Sequence, residues 1–449
     1  MKAGDWTVRK DIARRVSEAA IKAVDPYEAV SRCFHLEGGV LTAGERTYDL
    51  NQIDRVLVVG AGKAAAPMAA AVEDVLGVCL PGKRMTGLVN VKYGHVRPTR
   101  IIEVNEAGHP VPDERGLKGT RRMAELLRTA GPRDLVINLL SGGGSALLVL
   151  PAEGITLEDK RQTTDLLLRC GATINEVNCV RKHLSLSKGG NWARLAQPAP
   201  VISLILSDVV GSPLDVIASG PTAPDTSTLA EACRVLEKYD ITTLVPPAVR
   251  ARLCRRHDAS LIENPAAGDP VFEQVNNVIV GSNEIAAQAA VEKARELGFA
   301  AMLLSTYVEG EAREVARVLA AVAKEIARPG QPLERPCCVV AGGETTVTVK
   351  GQGLGGRNQE LALAAALAVE GWAEVMIWSL ATDGNDGPTE AAGAIVSGET
   401  VDRGRCLGLE AGEYLADNDS YEFFRRLGDL IVTGPTNTNV NDLMFVVVF

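Results

Sequence analysis

Five short turns, each rich in glycine and small polar residues, hold most of the side chains here that can do chemistry. The first is Gly60–Ala61–Gly62–Lys63, which follows an apolar run and opens an alanine-rich stretch. A helix start offers free N–H groups and a positive dipole end, both suited to an anion, and Lys63 adds a full charge. It is not a Walker A loop, because Leu57 and Ala64 stand where Gly and Ser or Thr are needed. A dinucleotide fingerprint is also incomplete: Ala65 takes the third glycine position, and Val89–Asn90–Val91 brings no acidic residue to the next strand end. A tight turn with a surface lysine is the plain alternative.

The second turn is Ser141–Gly142–Gly143–Gly144–Ser145. Three successive glycines cost chain entropy unless the backbone must approach something closely, and a nest of N–H groups for phosphate is such a reason. Ser145 is not a nucleophile elbow, since Leu147 replaces its second glycine. The third turn is Ser207–Asp208, with Ala218–Ser219–Gly220–Pro221–Thr222 just after. An aspartate at a strand end can hold Mg²⁺ or accept a proton. It can also simply satisfy turn amides. The fourth is Gly342–Gly343–Glu344, followed by a glycine-rich loop ending in Gly355–Gly356–Arg357, where a rigid guanidinium fork can grip carboxylate or phosphate. The fifth, Thr382–Asp383–Gly384–Asn385–Asp386, supplies hard oxygen ligands without EF-hand spacing.

Arg181, Lys182 and Lys188 concentrate positive charge in a chain whose net charge is −9. A solvated helix face explains them equally well. His109, in Gly108–His109–Pro110–Val111–Pro112–Asp113, has the titration range for acid–base work, although a packing role is the plainer one. The polar turn Gly434–Asp442 touches a ligand or merely bends the chain.

These turns need strands and helices to hold them. Asp54–Gly60, Thr86–Val91, Ile101–Asn105, Leu135–Leu140 and Val201–Leu206 read as strands, separated by helical stretches at Lys63–Leu76, Glu114–Thr129, Thr156–Cys170 and Asn175–Ser187. Such alternation predicts a parallel sheet with right-handed crossovers. A softer stretch over 225–270 precedes a second α/β series. In that series Cys337–Ala341 and Thr345–Val349 read as separate strands. Hydrophobic residues make up 46% but aromatics only 4%, which points to an aliphatic core of the buried-sheet kind. The acidic balance excludes nucleic acid as a bulk electrostatic partner. No apolar run reaches membrane-spanning length, and the first residues do not resemble a signal peptide. The nine cysteines include no CxxC and read as thiols in a reducing, cytoplasmic compartment.

Taken in order, nine segments resemble the class II glycerate kinases, the glycerate 2-kinase family with a C-terminal MOFRL domain. They are Gly60–Lys63 with its two alanines, Gly108–Asp113, Leu140–Ala146, Asn178–His183, Ser207–Asp208, Ser219–Thr222, Gly342–Thr345, Gly355–Glu360 and Thr382–Pro388. The resemblance implies transfer of the γ-phosphoryl of ATP to the 2-hydroxyl of D-glycerate, with Mg²⁺ or another divalent metal. It implies a Rossmann-like α/β N-terminal domain over 1–245 and a smaller α/β domain over 246–449, with the MOFRL region at about 335–449 and the active site in the cleft between them. Lys63 and Arg357 match the family's proposed catalytic pair.

On that basis Gly60, Gly62, Ser141, Gly142, Gly143, Gly144, Ser145, Gly220 and Thr222 are expected to hold phosphate. Lys63, Arg181, Lys182 and Arg357 would bind substrate, and Asp208, Glu344 or Asp383 the metal. Asp208 or Asp383 would take the hydroxyl proton. A homodimer is among the open assemblies. Related proteins often carry a hydroxypyruvate reductase label, so an NAD(P)H-dependent reductase is the alternative. A non-catalytic nucleotide sensor is the other rival.

Overall fold

A computed structural model describes residues 6–77, 84–254 and 262–449. The chain forms two compact units, Pro26–Val280 and a second made of Met1–Asp25 with Gly281–Phe449.

The Pro26–Val280 unit begins with helix Pro26–Cys33 and an antiparallel meander, β1 (Phe34–Glu37), β2 (Val40–Ala43) and β3 (Arg46–Asp49). A six-stranded sheet follows from β4 (Arg55–Ala61), β5 (Arg84–Lys92), β6 (Ile102–Ala107), β7 (Asp134–Leu140), β8 (Val201–Leu206) and β9 (Val275–Gly281). Its spatial order is β6-β5-β4-β7-β8-β9, and β4 through β8 run parallel. β7 and β8 are buried at every residue, which explains why LVINLL and VISLIL are continuous rather than alternating apolar runs. The order reverses between β4 and β7. In open α/β sheets that switch point, outside the carboxyl ends of the strands, is where ligands bind. Helices Ala65–Gly77 and Glu114–Arg128 cover the sheet, the latter burying Leu117, Met123, Ala124 and Leu127.

A satellite core joins helices Leu157–Arg169, Ile174–His183, Leu229–Lys238 and Pro247–Cys254. Cys233 and Cys254 form a disulfide there, which corrects the expectation that every cysteine is a thiol. Helix packing brings their Cα atoms to 5.3 Å, and a separation of 21 residues carries no sequence signature of that approach. Six other described cysteines are free, and Cys79 lies outside the described residues.

The second unit carries a mixed sheet of β10 (Ala300–Glu311), β11 (Cys337–Thr346), β12 (Val375–Ala381), β13 (Gly393–Ser397), β14 (Leu430–Ile431) and β15 (Asp442–Val448), ordered β10-β11-β15-β12-β13-β14. β10 and β11 are parallel and the remaining pairs antiparallel. Alternation along each strand divides its side chains. Val339, Ile377 and Val446 join helices Ala312–Ala327 and Arg357–Ala368 in one core. Trp378 stacks on Phe445, and its indole N–H donates to Ser17 of helix Trp6–Ala23. Cys337–Thr346 is one strand, so the two short ones expected there are continuous.

The boundary expected at 245/246 falls instead at 280/281. β9 completes the first sheet, and helix Trp6–Ala23 packs on helix Asn283–Glu296, placing the N-terminus in the second unit. No described helix is long and apolar enough to cross a membrane.

Candidate active site

In the Pro26–Val280 unit the two turns at the switch point are stitched together. Lys63 N–H donates to Gly142 O at 2.9 Å, Ala64 N–H to Ser141 Oγ at 3.0 Å, and Gly62 N–H to Asn90 O at 3.1 Å. The approach requires glycine: a Cβ on Gly60 would fall 2.2 Å from Leu139 O, and one on Gly62, at φ 150°, 2.0 Å from Ser141 Oγ. Gly144 N–H donates back to Ser141 O, while the amides of Gly142 and Gly143 have no partner among the described residues. Two adjacent free N–H groups are the start of an anion nest. Lys63 is half-buried, and its ammonium likewise has no partner among the described residues. Asp208, from the end of β8, faces the same turn: a Cβ on Gly142 would meet its Oδ2 at 2.5 Å. His109 closes another side, since a Cβ on Gly143 would lie 3.0 Å from its Nε2.

Not every expected phosphate contact sits this way. Ser145 Oγ pairs with Ser219 Oγ at 3.1 Å, and Ser219 donates to Asn178 Oδ1 at 3.3 Å. Thr222 is buried, its hydroxyl donating to Asn277 Oδ1 at 2.7 Å and pairing with the Ser203 hydroxyl at 3.1 Å, so it ties β8 to β9. Gly220, at φ 64°, makes the bend that brings its carbonyl to Gly190 N–H at 2.7 Å.

The cations of the Asn178–Lys188 stretch divide into distinct tasks. Lys182 is buried between Asp215 at 3.4 Å and Asp225 at 3.3 Å. Both carboxylates claim the charge that the sequence offers to substrate. Lys188, fully buried, donates to Ser145 O at 2.9 Å and Ala218 O at 3.3 Å, bracing two turns. Burial pushes its ammonium well below the usual lysine range, with Lys160 and Arg181 adding repulsion. Lys160 and Arg252 donate to Leu184 O and His183 O, the negative end of helix Ile174–His183. Arg181 has neither an ion pair nor a side-chain hydrogen bond among the described residues, and burial lowers its pKa.

The second unit contains a separate constellation. Arg357 starts helix Arg357–Ala368, and its fork meets Asp442 at 2.5 and 3.0 Å, with Glu344 at 3.1 Å on the third nitrogen. Burial alone would lower Arg357, but these carboxylates more than reverse it. Burial lifts Asp442 to about 6, against the pull of Arg357. Asp386 is also buried, which raises it; its carboxylate accepts Asn358 N–H at 3.1 Å and Gln359 N–H at 2.8 Å and so caps the same helix. A Cβ on Gly356 would fall 2.3 Å from Asp386 Cγ, so that glycine permits the cap. Glu344 also accepts from Asn441 at 2.9 Å, and Asp383 Oδ1 accepts Asn385 N–H at 3.1 Å.

The three carboxylates expected to hold metal are therefore divided between units, Asp208 in one and Glu344 and Asp383 in the other. Among the described residues no group of three or more His, Cys, Asp or Glu is arranged to bind a metal ion. Asp386 enters the sequence reading only as an oxygen ligand of its turn and Asp442 only as the end of the polar turn Gly434–Asp442, whereas here they cap a helix and hold Arg357.

The β5 end bears on nicotinamide chemistry. Asn90 is buried, donating to Gly116 O, Thr120 Oγ1 and Leu147 O, and Lys92 ends the strand. A ribose-binding carboxylate at this place would complete a dinucleotide site; an occupied amide and a lysine stand here instead.

The fold and turns define an α/β protein in which two glycine-rich turns meet at a Rossmann-type switch point. A family model described as a domain of unknown function (DUF4147) matches residues 12–254, and the MOFRL family model matches 337–442. A D-glycerate 2-kinase of Thermotoga maritima is 44% identical over 439 residues, 97% of each chain. A protein of Agrobacterium vitis named a putative hydroxypyruvate reductase is 41% identical over 98% of this chain and 94% of its own. The crystal structure of a Thermotoga maritima glycerate kinase superposes with a TM-score of 0.88 at 42% identity, covering 99% of this chain and 100% of that one. The chain belongs to the glycerate 2-kinase family with a MOFRL domain.

Proposed function

We propose that this protein transfers the γ-phosphoryl group of ATP to the 2-hydroxyl of D-glycerate, giving 2-phospho-D-glycerate and ADP. The observation that carries the reading is the meeting at the switch point of two amides, Gly142 and Gly143, with Lys63, all three without a partner among the described residues. Phosphoryl transfer is chiefly positioning plus charge stabilisation, which such a cradle supplies. Lys63 neutralises the group in flight. Arg357, held by Asp442, is the cation that the second unit offers, and in the first unit Arg181 offers an uncommitted charge to the carboxylate or a phosphate. The relatives named for glycerate support the acceptor. Asn90 and Lys92 at the β5 end weigh against the reductase alternative.

Mg²⁺ fits the donor set present. It keeps several waters and phosphate oxygens and needs only one or two carboxylates. Asp208, packed against Gly142, is the residue that would hold it, with Asp383 second, since Glu344 is engaged by Arg357 and Asn441. When bound, the ion draws charge from the phosphates. Six free cysteines among the described residues support a cytoplasmic setting, while the Cys233–Cys254 disulfide weighs against it.

Phosphorus NMR of the product formed from ATP, Mg²⁺ and D-glycerate tests the assignment. The 2-phosphate ester is expected. No ester, alongside NADH oxidation with hydroxypyruvate, would replace the kinase with the reductase.

A further inference from the structure

We infer that His109 is the group that takes the proton from the acceptor hydroxyl. The inference rests on the kinase reading above and deepens it.

The position of the ring is set by backbone rather than by its own hydrogen bonds. Asp113 accepts Gly116 N–H at 2.8 Å and Tyr93 OH at 2.7 Å, and the Arg161 guanidinium holds Pro112 O at 2.8 Å. The turn carrying His109 is thus fastened at its far end, and the imidazole is laid over Gly143. The ring is half-buried and has no hydrogen-bond partner among the described residues. His183, buried in the satellite core, has at least its Nδ1 placed on Cys179 O at 2.9 Å, although its Nε2 is unsatisfied. Among the described residues His109 keeps both nitrogens free, beside the two free amides.

Its electrostatic surroundings come from three directions. Lys63 faces it from the β4 turn, Lys92 from the end of β5 and His95 from the turn beyond. Burial first, and then these groups, push the imidazole down to about 4. Asp208 lies one residue along the turn against Gly142, and Asp113 lies against Gly108. An imidazole so placed is neutral at physiological pH and has a lone pair to offer. ATP and glycerate bring negative charge to Lys63, which offsets its repulsion, the second cause of the shift after burial. The ring then gains proton affinity when the site is loaded. Asp208 is the competing acceptor, but a carboxylate that holds Mg²⁺ has its lone pairs committed.

The step balances. The glycerate 2-oxygen forms a bond to the γ-phosphorus, and the bond from that phosphorus to the bridging oxygen breaks with its electron pair leaving on ADP. The hydroxyl proton passes to a ring nitrogen of His109 and is lost to solvent as products leave.

The test uses the full-length enzyme with Mg²⁺, ATP and D-glycerate, comparing wild type, His109→Ala, His109→Gln and Asp208→Asn by ADP release. Proton transfer by a placed side chain contributes about 10²–10⁴-fold. Both His109 variants should therefore lose about 100-fold or more in kcat while each KM stays within about threefold. Added imidazole should restore part of the kcat of His109→Ala. Proton NMR of the wild-type imidazoles, assigned by loss of one signal in His109→Gln, should show His109 titrating below the rest and rising when a non-hydrolysable ATP analogue and glycerate are added. A folded His109→Ala with kcat within about threefold of wild type would overturn the assignment, as would a defect confined to KM. Wild type that forms no ADP with glycerate would sink the kinase reading itself.

Discussion

Arg357 and Asp442 stand 85 residues apart and meet through a two-pronged ion pair, Nε to Oδ2 at 2.5 Å and Nη2 to Oδ1 at 3.0 Å. The carboxylate is buried at the start of the last strand, while the guanidinium remains about one-third exposed. The arginine is thus aimed from behind, with its free edge outward. Asp442→Asn removes the charge but keeps the shape. Hydrogen bonds to charged groups contribute about 1.5–3 kcal/mol, so kcat/KM should fall roughly 10- to 150-fold. Arg357→Lys keeps a cation without a fork and should not recover activity. The double variant Asp442→Asn/Arg357→Ala should be scarcely worse than Arg357→Ala, because both act through one group. Steady-state kinetics of the four proteins checks this, and additive losses would separate the two residues.

Lys63 makes no ion pair among the described residues, so its removal should spare the fold. Lys63→Ala is expected to keep its circular dichroism spectrum and melting temperature while kcat drops about 10³-fold, the scale of losing a cationic clamp in phosphoryl transfer. Near-normal turnover would remove Lys63 from the reaction.

Gly356→Ala tests the cap. The added methyl would fall 2.3 Å from Asp386 Cγ and 2.5 Å from Asp386 backbone carbon, so the buried carboxylate cannot stay in place. Four donors from Asn358 and Gln359 converge on that carboxylate. The expected result is a lower melting temperature together with reduced kcat, since the same helix start carries Arg357. An unchanged melting curve would contradict the close approach.

Lys160 gives stability a pH dependence. Burial lowers its ammonium from 10.5 to about 7 in the folded protein. Between about pH 7 and 10.5 the unfolded chain binds the proton that the native state has released, so stability rises with pH by up to about 1.4 kcal/mol per unit. Below that window the full penalty is present. Lys160→Met lacks the term, so its melting temperature relative to wild type should be higher near pH 6.5 than near pH 10. Calorimetry at both pH values decides it. A constant difference would show that Lys160 does not titrate there.

Much of the site could be read before any fold was known. Gly60–Lys63 and Ser141–Ser145 stand where strand-to-helix turns were expected, and the structure sets them side by side at the switch point. Their legibility is local: an apolar run ending in glycine announces both a strand and a turn. Thr222 and Lys182 look the same in sequence whether they face a ligand or a neighbour. Here Ser203 and Asn277 take one, and Asp215 and Asp225 take the other.

The amino-acid order alone determined the alternation of strands and helices, the aliphatic core and the glycine-rich turns, because propensity and periodicity act over a few neighbouring residues. Tertiary structure alone decided that the first helix belongs with the last strands, that Cys233 reaches Cys254, and that Asp442 holds Arg357. Those pairings arise from packing across long stretches of chain, where contact depends on how sheets and helices stack and no local pattern records it.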